Sequence, residues 1–213
     1  LGQGILIRGD IYLTNDKTFI RSLLSRHLYE AIGNLEFEAL YNAEAIFYKI
    51  SSDNISSKNT DDLLCDFLAN CQLILNDLWI INDHSINIML GFIESPFLQS
   101  INILLPNHIP IIHSNLVTGS SCTSIGQYQK TNFKRQGLEE LIKWETTILI
   151  KPFSQNEENK TAIRSGTHRT NRAFIFLQTA RHQKDLGIKI THYCSAFECI
   201  FSTDSKELTH KLS

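Results

Sequence analysis

The chain has 213 residues, 42% of them apolar, and its 20 Lys and Arg against 22 Asp and Glu give a formal charge of −2. That composition supplies one large or two small packed cores, and it excludes the broad positive surface by which most nucleic-acid-binding domains hold a phosphate backbone, though not RNA cleavage at a local basic site. No apolar run reads as long enough to span a membrane, no basic-then-apolar leader opens the sequence, and Leu1 leaves the natural start open.

In chain order, Ile5 to Leu13 reads as a short extended entry with a turn at Gly9-Asp10, followed by N-cap choices at Thr14, Asn15 and Asp16. Phe19, Ile20, Leu23, Leu24, Leu28, Ala31, Ile32 and Leu35, then Phe37, Leu40, Tyr41, Ala45 and Tyr48, recur at helical period. They predict one long helix or two in tandem over 16–50, with a break at Gly33-Asn34. The polar linker 51–60 leads to a helix capped at Thr60 or Asp61, with a wide apolar face from Leu63 to Leu78. The first 81 residues therefore read mostly as a helical hairpin. Ile-rich segments at 85–93, 100–105 and 109–117, punctuated by Pro96, Pro106 and Pro110, predict short strands whose pairing is left open. A Ser/Gly/Thr-rich loop at 117–127 precedes a helix over about 133–149, capped at Thr131 or Asn132. The polar, Pro-initiated stretch 151–161 is the expected domain boundary. The fold class is thus mainly α: a helical N-terminal region with a few short extended segments over 1–155, a sensor or positioning module, and the start of a helical bundle over 156–213.

In that second part, Ala173, Phe174, Leu177 and Ala180 recur at helical spacing, Gly187 marks a break, and Ile190, Tyr193, Cys194, Phe197 and Phe201 form one apolar stripe. Ser202 to Ser205 make a polar loop, and Ser205 caps a new helix with Glu207 in its first turn. Lys189, Ile190, Tyr193, Glu198 and Phe201, followed by Glu207, Leu208, His210, Lys211, Leu212 and Ser213, resemble the opening of an Apea-like HEPN domain. The resemblance spans roughly the last 50 residues and implies an all-helical bundle. It also implies a prokaryotic protein of defence or toxin type, a metal-independent RNA endonuclease when complete, that works as a homodimer on RNA. In that chemistry a His is the general acid and base and an Arg stabilises the phosphorane charge. The family's pair, an Arg, four to six residues, then a His, is expected after Ser213, so the catalytic residues are not assigned within the chain. The alternative is a non-catalytic helical interaction or dimerisation module, a degenerate HEPN or an antitoxin-like partner. A weaker third reading is a small-molecule or nucleotide sensor with a pocket built from residues 80–130.

Three side chains are supporting candidates: Glu198, Arg172 and Arg181. Glu198 borders the apolar stripe, where an unpaired carboxylate is costly. It either orients the catalytic His and Arg or pairs with Arg172 or Arg181, which otherwise read as exposed helix charges. Arg21 and His27 have the family's spacing, but they sit in the N-terminal helix, point about 120° apart on it, and match a pair expected about once by chance. Arg164 and His168 are one residue too close. His108 and His113 fall on opposite faces of a strand and make a poor metal pair, and His84 follows Asp83. Cys65, Cys71, Cys122, Cys194 and Cys199 contain no Cys-x-x-Cys pair. They read as reduced thiols of a cytoplasmic protein, with Cys194 and Cys199 in the core. No phosphate-binding Gly loop or Gly-x-Ser-x-Gly elbow occurs. Neither a metal nor a cofactor is implied, and no membrane partner.

Overall fold

The computed structural model describes residues 4–50, 60–93, 111–113, 121–145 and 169–201. They divide into two compact units. One holds 4–50, 60–81, 87–93, 111–113 and 133–145; the other holds 82–86, 121–132 and 169–201. Helix predominates, with short antiparallel strands, as the composition and periodicity predict.

The first unit opens on a three-stranded antiparallel sheet in the order β1-β2-β3. β1 (Ile5–Arg8) and β2 (Ile11–Thr14) are joined at Gly9-Asp10, where Gly9 takes the left-handed φ of 55° that a tight hairpin turn requires. The predicted turn is therefore in place. β3 (Ile46–Lys49) pairs with β2 in the register Ile11↔Lys49, Tyr12↔Tyr48, Leu13↔Phe47 and Thr14↔Ile46. The Tyr12 and Tyr48 rings stack across the ladder at 5.3 Å.

The long helix expected over 16–50 is not formed. Three short ones, α1 (Lys17–Ser22), α2 (Arg26–Ile32) and α3 (Asn34–Asn42), precede the strand β3. Each break has a local cause. Asp16 caps α1 through Thr18 N at 2.9 Å, and Ser25 caps α2 through Leu28 N at 3.0 Å. Gly33, at φ 82°, separates α2 from α3. Ala45 and Tyr48 fit a helical period, but Ile46, Phe47 and Tyr48 are also β-branched and aromatic. The open edge of β2 supplies the ladder that decides between the two.

α4 (Thr60–Ile81) follows the predicted span, with Asp61 and Asp62 in its first turn, where the helix dipole favours negative charge. Leu64, Leu68, Cys71, Ile74, Leu75 and Leu78 are buried along one side. Each such Leu or Ile contributes roughly 1.5–3 kcal/mol by leaving water. By length and hydropathy alone α4 is also apolar enough to cross a membrane, which corrects the reading that no such run exists; the buried face is what a core helix shows as well.

Against α4 lie β4 (Leu90–Phe92) and β5 (Ile111–His113), an antiparallel pair with Gly91 opposite Ile112. β4 is shorter than the segment 85–93 that predicted it; of the segment 109–117 only 111–113 is described, and the segment 100–105 lies outside the described residues. Gly91 rests on Leu68, whose Cδ2 would be 2.9 Å from an added Cβ. Arg8 on β1 pairs with Asp77 on α4 at 3.3 Å.

α5 (Arg135–Glu145) packs on both α4 and β1 through its buried Leu138 and Leu141. It starts after the predicted caps: Leu138 N bonds the Lys134 carbonyl, and the Thr131 hydroxyl bonds the Asp83 carbonyl instead. The proposed boundary at 151–161 lies outside the described residues.

Candidate functional site

The second unit is built on two helices, α6 (Arg169–His182) and α7 (Leu186–Phe201), which pack on one another over their length. Asp185 makes the turn between them. Its carboxylate accepts from Ile188 N at 2.9 Å and its carbonyl from Lys189 N at 3.0 Å, so it is the N-cap of α7. Gly187, read as the break, lies inside the first turn of α7.

The last carbonyls of α6 need partners, because a helix end leaves them without intrahelical donors. Lys189 supplies one: its ammonium donates to the Ala180 carbonyl at 2.7 Å from a side chain that is 0% exposed. A buried cation is favourable there because the helix dipole puts partial negative charge at that end. The loop 121–130 supplies the others. Cys122 N donates to the Arg181 carbonyl at 2.9 Å, and the Cys122 thiol lies 2.8 Å from the Gln183 carbonyl and 3.1 Å from that of Arg181. Lys189 Nζ completes the contact, 3.6 Å from Cys122 Sγ. The loop is held in turn by Asp83, whose carboxylate accepts from Ser124 N at 2.8 and 3.0 Å and from Ser124 Oγ at 2.6 Å.

Arg181 is 1% exposed beside this clasp, which corrects the reading of it as a surface charge. Burial lowers its pKa against the opposing pull of Tyr193, Asp83 and Cys122. Tyr193 sits one turn from Lys189, whose Nζ is 5.8 Å from the ring centroid. The Tyr193 hydroxyl is buried with no hydrogen-bond partner among the described residues. Burial, then Asp83 and Cys122, raise its pKa, so the phenol stays protonated. His182 is shifted the other way, by partial burial and by the positive charges of Arg181 and Lys189. Of the basic groups gathered at the end of α6, Lys189 directs its hydrogen bond at the protein's own backbone. As it stands, that arrangement positions helices.

The other two candidates stand elsewhere. Arg172 is exposed on α6, and Glu198 is exposed on α7 with no ion pair to Arg172 or Arg181 among the described residues. Helical geometry gives the reason: nine residues at 100° each set Glu198 about 180° from Lys189. The packed face of α7 is Lys189, Tyr193 and Ala196. The apolar stripe lies about 100° round the helix from Lys189, with Ile190 51%, Phe197 61% and Phe201 71% exposed. Cys194 is exposed and Cys199 partly so, which corrects their placement in the core.

The chain matches no family model, no curated protein and no solved structure.

Among the remaining candidates, Arg21 is exposed and lies 5.2 Å from the Tyr41 ring centroid, a solvated helix face as its position implied. His84 is fully buried and accepts from Ile86 N through Nδ1 at 3.1 Å. Arg164, His168 and His108 lie outside the described residues. No group of three or more metal-ligating side chains occurs among the described residues. Sequence reasoning missed the Cys122 and Lys189 clasp, because the two are brought together over 67 positions of chain. No local signal pointed to it, because the apolar stripe of α7 lies on another face from Lys189.

Proposed function

We propose that the second unit is a HEPN-like helical interaction module that pairs with a second copy of itself through the outer face of α7. The observation that carries this is the mismatch between the packed and the apolar faces of that helix. Lys189 faces inward, where the end of α6 satisfies its charge. Ile190, Phe197 and Phe201 face outward at half exposure or more, and the last two rings stack at 6.2 Å. Neighbouring large apolar side chains on one exposed face mark association surfaces more often than chance positions do. Light scattering after size exclusion tests this. The expected result is a dimer that Phe197→Glu converts to monomer while the helical circular dichroism is kept. A chain that is monomeric at every concentration, or a dimer that Phe197→Glu leaves intact, overturns the reading.

The ribonuclease reading stands second. It is favoured by the placement of Lys189, Ile190, Tyr193, Glu198 and Phe201 on one unbroken helix after a partner helix, as the resemblance implies. Glu198 then lies on the outward side of α7, where it can face a second copy. In this reading the whole protein is a prokaryotic defence or toxin protein, and Glu198 orients a catalytic pair supplied from outside the described residues. RNA cleavage in the presence of a chelator, lowered by Glu198→Gln, is the expected outcome. No cleavage by a dimeric protein leaves the interaction module as the function.

A further inference from the structure

Lys189 and Cys122 are both buried, at 0% and 1% exposure, and are in contact at 3.6 Å between Nζ and Sγ. They come from separate elements of the second unit, α7 and the loop 121–130. Among the described residues, the hydrogen bonds of the two heads to backbone go to the end of α6: Nζ to the Ala180 carbonyl, and Sγ to the carbonyls of Gln183 and Arg181. The carbonyls hold both heads side by side at 3.6 Å. Once its ammonium gives up a proton, Lys189 is a nucleophile placed beside an oxidisable sulfur.

We infer that Cys122 and Lys189 form a reversible covalent link under peroxide. The thiol is oxidised first: its sulfur attacks one oxygen of hydrogen peroxide, the O–O bond breaks, and Cys122 becomes a sulfenic acid with release of one water. Sulfenic acids condense with nearby thiols and nitrogen nucleophiles. Here the Lys189 ammonium first gives one proton to solvent. The freed nitrogen lone pair attacks the sulfur, the S–O bond breaks, and the departing hydroxyl takes a second proton from that nitrogen and leaves as water. The product is a sulfenamide, Lys189 Nζ to Cys122 Sγ. Peroxide has been reduced by two electrons and the sulfur oxidised by two.

A small neutral oxidant reaches the site when the loop 121–130 opens locally, and the bonds of Asp83 to Ser124 that close the loop are at the surface. The structural consequence is a staple that joins α7 to the loop across the end of α6. A second thiol reverses it by attacking the sulfur and releasing the amine. Cys194, which is exposed and has no such amine against it among the described residues, follows the ordinary ladder toward sulfinic acid.

Peptide mass mapping of the whole chain, treated with hydrogen peroxide and then alkylated, is the test. The expected result is a peptide pair linked through Lys189 and Cys122, lighter than the sum of its parts by two hydrogens, about 2 Da. Tryptic cleavage after Lys189 is lost with it, and dithiothreitol restores both. Dimedone, added with the peroxide to trap the sulfenic acid, lowers the yield of the linked pair. Lys189→Arg keeps a buried cation and abolishes the link, while Cys122 oxidation continues to sulfinic acid. Cys122 carried to sulfinic acid in the unsubstituted chain, with Lys189 still cleaved by trypsin, overturns the inference, as does a Cys122 that stays alkylatable after Cys194 is fully oxidised. Both readouts come from the unsubstituted protein, so a variant that fails to fold does not shield the idea.

Discussion

Gly126→Ala puts the docking of the loop 121–130 to a direct test. Gly126 has a φ of 76°, which an L side chain adopts at a cost of about 1–2 kcal/mol. An added Cβ would also overlap the Lys184 carbonyl oxygen and stand 3.1 Å from its carbon and 3.4 Å from its Cα. That neighbour is backbone, held one residue before the Asp185 cap of α7, so the loop and not the turn must retreat. Retreat strains the local bonds: Gly126 N to the Thr123 carbonyl at 2.9 Å, and Gln127 N to Thr123 Oγ1 at 3.0 Å. Losing one or two of these at about 1 kcal/mol each brings the total to roughly 3 kcal/mol. For a unit of this size that lowers the melting temperature by roughly 12–24 °C.

Gly9→Ala is the comparison. Its φ is 55° with nothing within 4 Å of an added Cβ, so it bears the backbone strain alone, about 1 kcal/mol. Chemical denaturation followed by circular dichroism measures both. If Gly126→Ala costs no more than Gly9→Ala, the loop does not sit on the turn between α6 and α7, and the clasp built from it falls with that result.

Three further outcomes are expected. Leu68→Ala removes a side chain buried against Gly91, and the cavity should cost about 2–5 kcal/mol in urea unfolding; a loss below 1 kcal/mol would mean that β4 does not rest on α4. Burial pushes the Cys71 thiol up to about 12, so iodoacetamide at pH 8 should label exposed Cys194 readily and leave Cys71 unlabelled until denaturant is added; equal labelling rates would contradict the α4 packing. The His182 imidazole should titrate below its ordinary 6.5 by NMR. With the folded value depressed, the unfolded chain binds the extra proton first. Stability from this group is intact above 6.5 and falls as the pH drops through the folded value, a slope that His182→Gln removes. A His182 that titrates at or above 6.5 would mean that Arg181 and Lys189 are not beside it.

Local signals in the sequence determined much of this protein. Gly9-Asp10 between two β-branched runs specifies a hairpin, and the Leu and Ile of 63–78 specify α4, because turn chemistry and a repeating apolar face are properties of neighbouring residues. Lys189, Ile190, Tyr193, Glu198 and Phe201 were legible as one helix for the same reason. Tertiary structure decided where local preference was divided. Tyr48 satisfies a helical period as well as a strand, and only the free edge of β2 makes it a strand. The buried face of α7 was decided in the same way. The apolar stripe of Ile190, Phe197 and Phe201 is the face that periodicity selects. The end of α6 turns Lys189 inward instead, because its carbonyls need a donor and its dipole favours a cation. That demand comes from packing against a neighbouring element, α6, and not from the periodicity of α7 itself; it leaves Glu198 outside, and the loop 121–130, 67 positions away, sets Cys122 against Lys189.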